Sequence, residues 1–121
     1  MIRAVVVDDQ ELVRTGVRRI LNTASTIDVV GEASDGDEVE AVVQQTSPDL
    51  VLMDVRMKRV DGVTATKRLL ARWPELRVLV LTTFDDDETL SGALRAGASG
   101  FLLKDAPGED VVRAVEEVAG G

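Results

Sequence analysis

Five short apolar runs, each followed by a segment of helical periodicity, pass through the 121 residues and leave little choice of architecture. The runs are residues 4–7, 50–53, 78–81 and 101–103, with a weaker one at 29–33. A continuous apolar run bounded by polar residues is the pattern of a strand buried on both faces. The segments between them carry apolar residues three or four apart: Val13, Val17, Ile20 and Leu21; Val39, Val42 and Val43; Val63, Leu69 and Leu70; Leu90, Ala93 and Leu94; and Val111, Val112, Val115 and Val118. Such spacing places one apolar stripe on each helix. Gly31, Asp35-Gly36, Pro48, Trp73-Pro74, Gly97, Gly100 and Pro107-Gly108 punctuate the pattern. Strand-then-helix alternation implies parallel strands joined by right-handed crossovers. The expected fold is therefore α/β, a doubly wound five-stranded parallel sheet flanked by five helices, in one domain over residues 1–121.

Composition removes several kinds of chemistry. Without cysteine there is no disulfide, thiolate metal site or thiol nucleophile. Without histidine there is no imidazole base, His-ligated metal or Ser-His triad. A net charge of −8 opposes direct binding to nucleic acid, where Lys and Arg must neutralise phosphates. The N-terminus lacks the segments of a secretory signal, and no apolar run has the length of a membrane span. A cytoplasmic setting without membrane contact is the expectation. The remaining tools are carboxylates, hydroxyls and ammonium groups.

In an open parallel sheet, ligands bind beyond the carboxyl ends of the strands. Asp8-Asp9 follow the first run, Asp54 the third, Thr82-Thr83 the fourth and Lys104 the fifth. Gathered carboxylates repel unless a cation offsets them. Mg²⁺ suits such a cluster, because it takes oxygen ligands, retains waters and is commonly shared with a phosphate. Asp54 is then positioned as a nucleophile able to form an aspartyl phosphate. Lys104, the Thr82 hydroxyl and Mg²⁺ would neutralise the equatorial oxygens of a transferring phosphoryl group.

These residues carry a family resemblance. Asp8-Asp9, the segment Leu50-Val51-Leu52-Met53-Asp54-Val55-Arg56-Met57, Asp61-Gly62, Leu81-Thr82-Thr83-Phe84 and Gly97-Ala98-Ser99-Gly100-Phe101-Leu102-Leu103-Lys104 together resemble a response-regulator receiver domain of two-component signalling. Thr82-Thr83-Phe84-Asp85 and Ala93-Leu94-Arg95-Ala96-Gly97-Ala98 are most similar to the LuxR/NarL-type branch, in which the receiver precedes a helix-turn-helix DNA-binding domain. The resemblance implies the strand order 2-1-3-4-5, the order of a flavodoxin-like receiver fold. It also implies that Asp54 is the phosphoacceptor. Asp9 and Asp54 would ligate Mg²⁺ directly, Asp8 mainly through water, and Arg56 through its backbone carbonyl. Thr82 would follow the phosphoryl group, Lys104 would contact it, and Phe101 would be the switch aromatic. The implied partners are a sensor histidine kinase, a second copy of the chain on activation, and DNA through an output domain that is not in this chain. The ending Ala119-Gly120-Gly121 fits a domain boundary in a longer regulator.

Lys58 departs from the pattern: it stands four residues after Asp54, where many receivers have proline, so a fixed torsion is lost and a charge gained. Asp105 likewise follows Lys104 in place of a common proline.

Each site residue also has an ordinary structural reading. Asp8 or Asp9 serves equally well to cap the first helix, Thr82 as a strand residue, Lys104 as a solvated lysine, and Phe101 as core. Arg56, Lys58 and Arg59 read as a solvated loop, and Asp85-Asp86-Asp87-Glu88 as the acidic start of a helix. Their joint placement at successive strand ends favours the site. Among other functions, a haloacid-dehalogenase-type hydrolase needs a second Asp two residues after the nucleophile, where Arg56 stands. A nucleotide or flavin binder lacks its glycine-rich loop. A pseudo-receiver that binds partners without phosphorylation is the alternative to a phosphorylated switch, and Lys58 is the residue that keeps it open.

Overall fold

The computed structural model describes residues 1–83 and 87–120. Phe84, Asp85, Asp86 and Gly121 lie outside the described residues, and with them part of the acidic run and of the Thr82-Thr83-Phe84-Asp85 segment. The chain runs β1 (Ile2–Val7), α1 (Glu11–Asn22), β2 (Ile27–Ala33), α2 (Gly36–Thr46), β3 (Leu50–Asp54), α3 (Gly62–Arg72), β4 (Arg77–Thr82), α4 (Asp87–Arg95), β5 (Gly100–Leu103) and α5 (Gly108–Gly120). All strand pairs are parallel, in the order β2-β1-β3-β4-β5.

Alternation along each strand divides the interior into two cores. Val5, Val7, Val51, Met53, Val78 and Val80 pack with Val39 and Val43 of α2, Ala65 and Leu69 of α3, and Ala93 of α4. Ala4, Val6, Leu50, Leu52, Leu79 and Leu81 face the other way, onto Leu21 of α1 and Val111 and Val115 of α5. Every residue of β3 is buried, as expected for the middle strand of a sheet covered on both faces.

Three expectations are corrected. Gly31 is not a boundary: it lies inside β2, at a register shift where Ala4 pairs with Val29 and Val5 with Gly31, so Val30 is the extra residue of a bulge. A side chain at Gly31 would come within 2.8 Å of Val42, so glycine there lets α2 approach the strand. β5 is not buried on both faces. It has a single neighbour, β4, and Phe101 on it is 50% exposed. Leu94 also lies outward, leaving Ala93 as the buried residue of α4.

Asp35 and Asp61 cap α2 and α3, accepting hydrogen bonds from Asp37 N–H and Thr64 N–H. Asp87 and Glu88 occupy the first turn of α4, so the described half of the acidic run does open a helix. No helix among the described residues is long and apolar enough to cross a membrane.

Candidate functional site

The sheet's hydrogen-bond ladder continues one step past the strands and so fixes the residues that follow them. Asp8 N–H donates to Ala33 O (3.1 Å), Val55 N–H to Leu81 O (3.3 Å) and Lys104 N–H to Thr82 O (2.9 Å). Asp8, Asp54, Thr82 and Lys104 therefore stand on rigid backbone at one edge of the sheet. Asp8, Asp54 and Thr82 are essentially inaccessible, while the Lys104 side chain keeps a quarter of its surface.

Asp8, Asp9 and Asp54 each bring a carboxylate oxygen within 4.8 Å of the others. Lys104 Nζ lies 3.1 Å from Asp54 Oδ2 and 3.7 Å from Asp8 Oδ2. The second oxygen of each buried carboxylate is held by backbone: Asp54 Oδ1 accepts from Arg56 N–H (3.2 Å) and Asp8 Oδ1 from Gln10 N–H (2.9 Å). Asp8 Oδ2 and Asp54 Oδ2 have no hydrogen bond of proper alignment, although both face the ammonium. Three carboxylates against one ammonium leave excess negative charge where water is largely excluded.

Burial is the main cause of the upward displacement of the Asp54 carboxyl from its ordinary range, with Asp9 adding to it; Lys104 and the Arg56 N–H act in the opposite direction. Burial likewise raises Asp8, reinforced by Asp54 and Asp9, against the Gln10 N–H and Lys104. Orphaned buried anionic oxygens at oxygen-only ligands suit a hard divalent cation such as Mg²⁺, and the residues present fit one.

The cap reading of the aspartate doublet does not hold. The N-cap of α1 is Gln10, without a side-chain cap bond, and Asp8 is turned into the cluster. Thr82 is brought to the same edge, but its hydroxyl donates to Thr83 O (3.3 Å) and is not bonded to Asp54. Phe101 is outside the cluster, paired with Val80 in the ladder. Two contributors escaped the sequence reading. Arg14 donates to the Asp8 carbonyl oxygen (2.7 Å) and pairs with Glu32 (3.1 Å), bracing the β1–α1 turn. Asp35, read only as turn punctuation, is buried and bonded to the loop after Asp54. Its one signal in the sequence was an Asp-Gly pair directly before a helical pattern.

Elsewhere, a concavity of about 610 Å³ involves Ser47, Pro48, Trp73, Pro74 and Arg77, which flank the entries to β3 and β4. It is therefore at the opposite end of the sheet from the carboxylates, and no buried charge faces it.

Residues 4–116 match the response regulator receiver domain model. The transcriptional regulatory protein DegU of Brevibacillus brevis is 41% identical over 99% of this chain and 51% of its own length. The DNA-binding transcriptional activator DevR/DosR of Mycobacterium tuberculosis is 40% identical over 100% of this chain and 56% of its own. The chain thus spans about half the length of these curated relatives. A solved signal receiver domain of a response regulator named NarL, from Mycobacterium tuberculosis, superposes with a TM-score of 0.90 at 39% identity, covering 99% of this chain and 97% of that one. By fold, by sequence and by the residues at its strand ends, the chain belongs to the response regulator receiver domains, with relatives of the LuxR/NarL type.

Proposed function

We propose that this domain is a phosphorylation-controlled switch in which Asp54 accepts a phosphoryl group from a sensor histidine kinase. The observation that carries the reading is the convergence of Asp8, Asp9 and Asp54 on Lys104, with two buried carboxylate oxygens lacking hydrogen bonds. Asp8, Asp9 and Asp54, with the Arg56 backbone carbonyl, would hold Mg²⁺. When bound, Mg²⁺ supplies charge that offsets the carboxylates and the incoming phosphate.

The chain's own residues account for the rest. An ionised Asp54 oxygen forms the new bond to phosphorus while the bond to the donor histidine nitrogen breaks, its electron pair leaving with the imidazole. Asp54 has no proton to lose, so no base is needed beside it. Lys104, already 3.1 Å from Asp54, is placed to neutralise a phosphoryl oxygen. Thr82, whose hydroxyl donates to the neighbouring Thr83 carbonyl at 3.3 Å, would exchange that long bond for the phosphoryl group. Phe101, half exposed on the edge strand, is the aromatic that would change position in response. The change is a shift between two packings of the α4-β5-α5 face, biased by local charge.

Relatives named as transcriptional regulators, about twice as long as this chain, support a role as the N-terminal receiver of a longer cytoplasmic regulator. Its activation would drive homodimerisation and promoter binding by an attached domain.

The test is incubation with acetyl phosphate and Mg²⁺, read by intact mass. One phosphoryl group should be gained, only with Mg²⁺ present, and not in Asp54→Asn. If neither acetyl phosphate nor the mimic beryllofluoride produces a Mg²⁺-dependent change in mass or NMR shifts, the domain is a pseudo-receiver and the switch reading is lost.

A further inference from the structure

Lys58 removes the torsional restraint that a proline would give the loop between β3 and α3, yet that loop supplies Arg56 N–H to Asp54 Oδ1 at 3.2 Å. Something else must hold it. Asp35, 24 residues upstream of Arg59 and only 3% exposed, accepts Val60 N–H at 2.8 Å and Asp37 N–H at 3.4 Å on one carboxylate oxygen, and Arg59 N–H at 3.0 Å on the other. The attachment is doubled by backbone: Gly36 N–H donates to Val60 O at 3.2 Å. Gly36 permits this approach, since a Cβ there would sit 2.3 Å from the Val60 oxygen. On the outer side, the Arg59 guanidinium closes the same junction with bonds to both oxygens of Asp37 (2.7 and 3.1 Å) and to Glu38 (2.8 Å).

We infer that Asp35 is a positioning residue for the Asp54 site, its carboxylate anchoring the 56–61 loop where proline is lacking, with the Arg59 fork as an outer tie. The inference rests on the phosphoacceptor reading and deepens it. Asp35 touches neither Mg²⁺ nor phosphate. It acts by fixing residues 59 and 60, and so the backbone of Arg56 three residues earlier, whose N–H and carbonyl both face the chemistry in that reading. Partners one shell removed from a metal commonly alter its affinity by about 10- to 100-fold. A charged acceptor of several backbone N–H groups holds them better than a neutral one.

The experiment uses ¹⁵N-labelled chain and four forms: wild type, Asp35→Ala, Lys58→Pro and the double variant. Mg²⁺ affinity is followed by amide shifts, phosphorylation by acetyl phosphate through intact mass, loop order through hydrogen exchange of the Arg59 and Val60 amides, and folding through a thermal melt. Asp35→Ala should speed exchange at both amides, weaken Mg²⁺ binding by about 10-fold and slow phosphorylation, while still melting cooperatively. The Lys58→Pro change should recover part of the Mg²⁺ affinity in the Asp35→Ala background, about threefold, and change the wild type less; a role confined to stability would not show that coupling. If Asp35→Ala melts below the assay temperature, Asp35→Asn replaces it, because its amide turns a donor toward one of the bound N–H groups and the loss is smaller but in the same direction. Folded Asp35 variants whose Arg59 and Val60 amides exchange freely, but whose Mg²⁺ affinity and phosphorylation rate stay within about twofold of wild type, would overturn the inference. Wild type that takes neither Mg²⁺ nor a phosphoryl group would overturn the phosphoacceptor reading, and this one with it.

Discussion

Asp54 illustrates how a residue suited to chemistry works against the fold that holds it. Burial raises its carboxyl above the ordinary range, so ionisation costs more in the folded chain than in the unfolded one. A group raised in this way stabilises the fold below its unfolded value, near 4, and loses that contribution as pH rises through the folded value. At neutral pH and without metal, Asp54→Asn should therefore stabilise the chain, on the order of 1 kcal/mol, while abolishing phosphorylation. Thermal melts in a chelator check the sign. In Mg²⁺ at about 100 times Kd, the wild type should gain about 2.7 kcal/mol and Asp54→Asn little. A wild type more stable than the variant in the chelator would contradict the burial argument. Asp35 carries the opposite sign: burial raises it, but Arg59, Val60 and Asp37 N–H bonds and the Arg59 charge more than offset this and lower it. Its contribution is present above the unfolded carboxylate value and disappears as pH falls through the depressed folded one. Denaturant midpoints measured downward from about pH 5 should fall in the wild type and fall less in Asp35→Asn.

At the scale of elements, two glycines that look alike in the sequence should respond oppositely to alanine. Gly62 begins α3 directly behind Asp54, and a Cβ there would meet Asp54 O and Val55 Cα, each at 2.6 Å. Both obstacles are backbone and cannot swing aside. Gly62→Ala should cost about 1–3 kcal/mol and impair phosphorylation, because the atoms displaced belong to the backbone of Asp54 and of Val55 next to it. Gly16 lies within α1 with nothing within 4 Å of the same construction, so Gly16→Ala should stabilise by about 0.5–1 kcal/mol. Urea titrations of the two variants test the pair, and equal effects would show that backbone proximity at Gly62 is not the determinant. The same distinction explains why Gly31 misled the reading of β2: glycine marks a turn or a close approach, and only the neighbour, here Val42, decides which.

The whole molecule is a single sheet shared by two cores, and this sets its cooperativity. Leu69 lies in one core and Leu52 in the other, both fully buried. Leu69→Ala and Leu52→Ala should each cost about 2–5 kcal/mol, a large part of a typical total of about 5–15 kcal/mol. Because β1, β3 and β4 present alternate residues to both cores, each substitution should lower one common transition rather than split it, and coincident far-ultraviolet and Trp73 fluorescence melts would show this. Trp73 suits that purpose, since it packs against the core while bordering the end of the sheet remote from the carboxylates.

The element order, the parallel sheet and the convergence of Asp8, Asp9, Asp54 and Lys104 were legible in the chain itself. Apolar run length and helical spacing are local properties, and a parallel sheet necessarily brings its strand ends to one edge. Burial of β5, the outward turn of Leu94, the partner of the Thr82 hydroxyl and the buried role of Asp35 were decided only by tertiary structure. The exposure of a strand depends on whether it has one neighbour or two, which no run of residues encodes. Besides the local Asp37 N–H, the partners of Asp35 lie 24 and 25 residues away in the chain, across a junction that exists only once α2 and the loop after β3 are packed together.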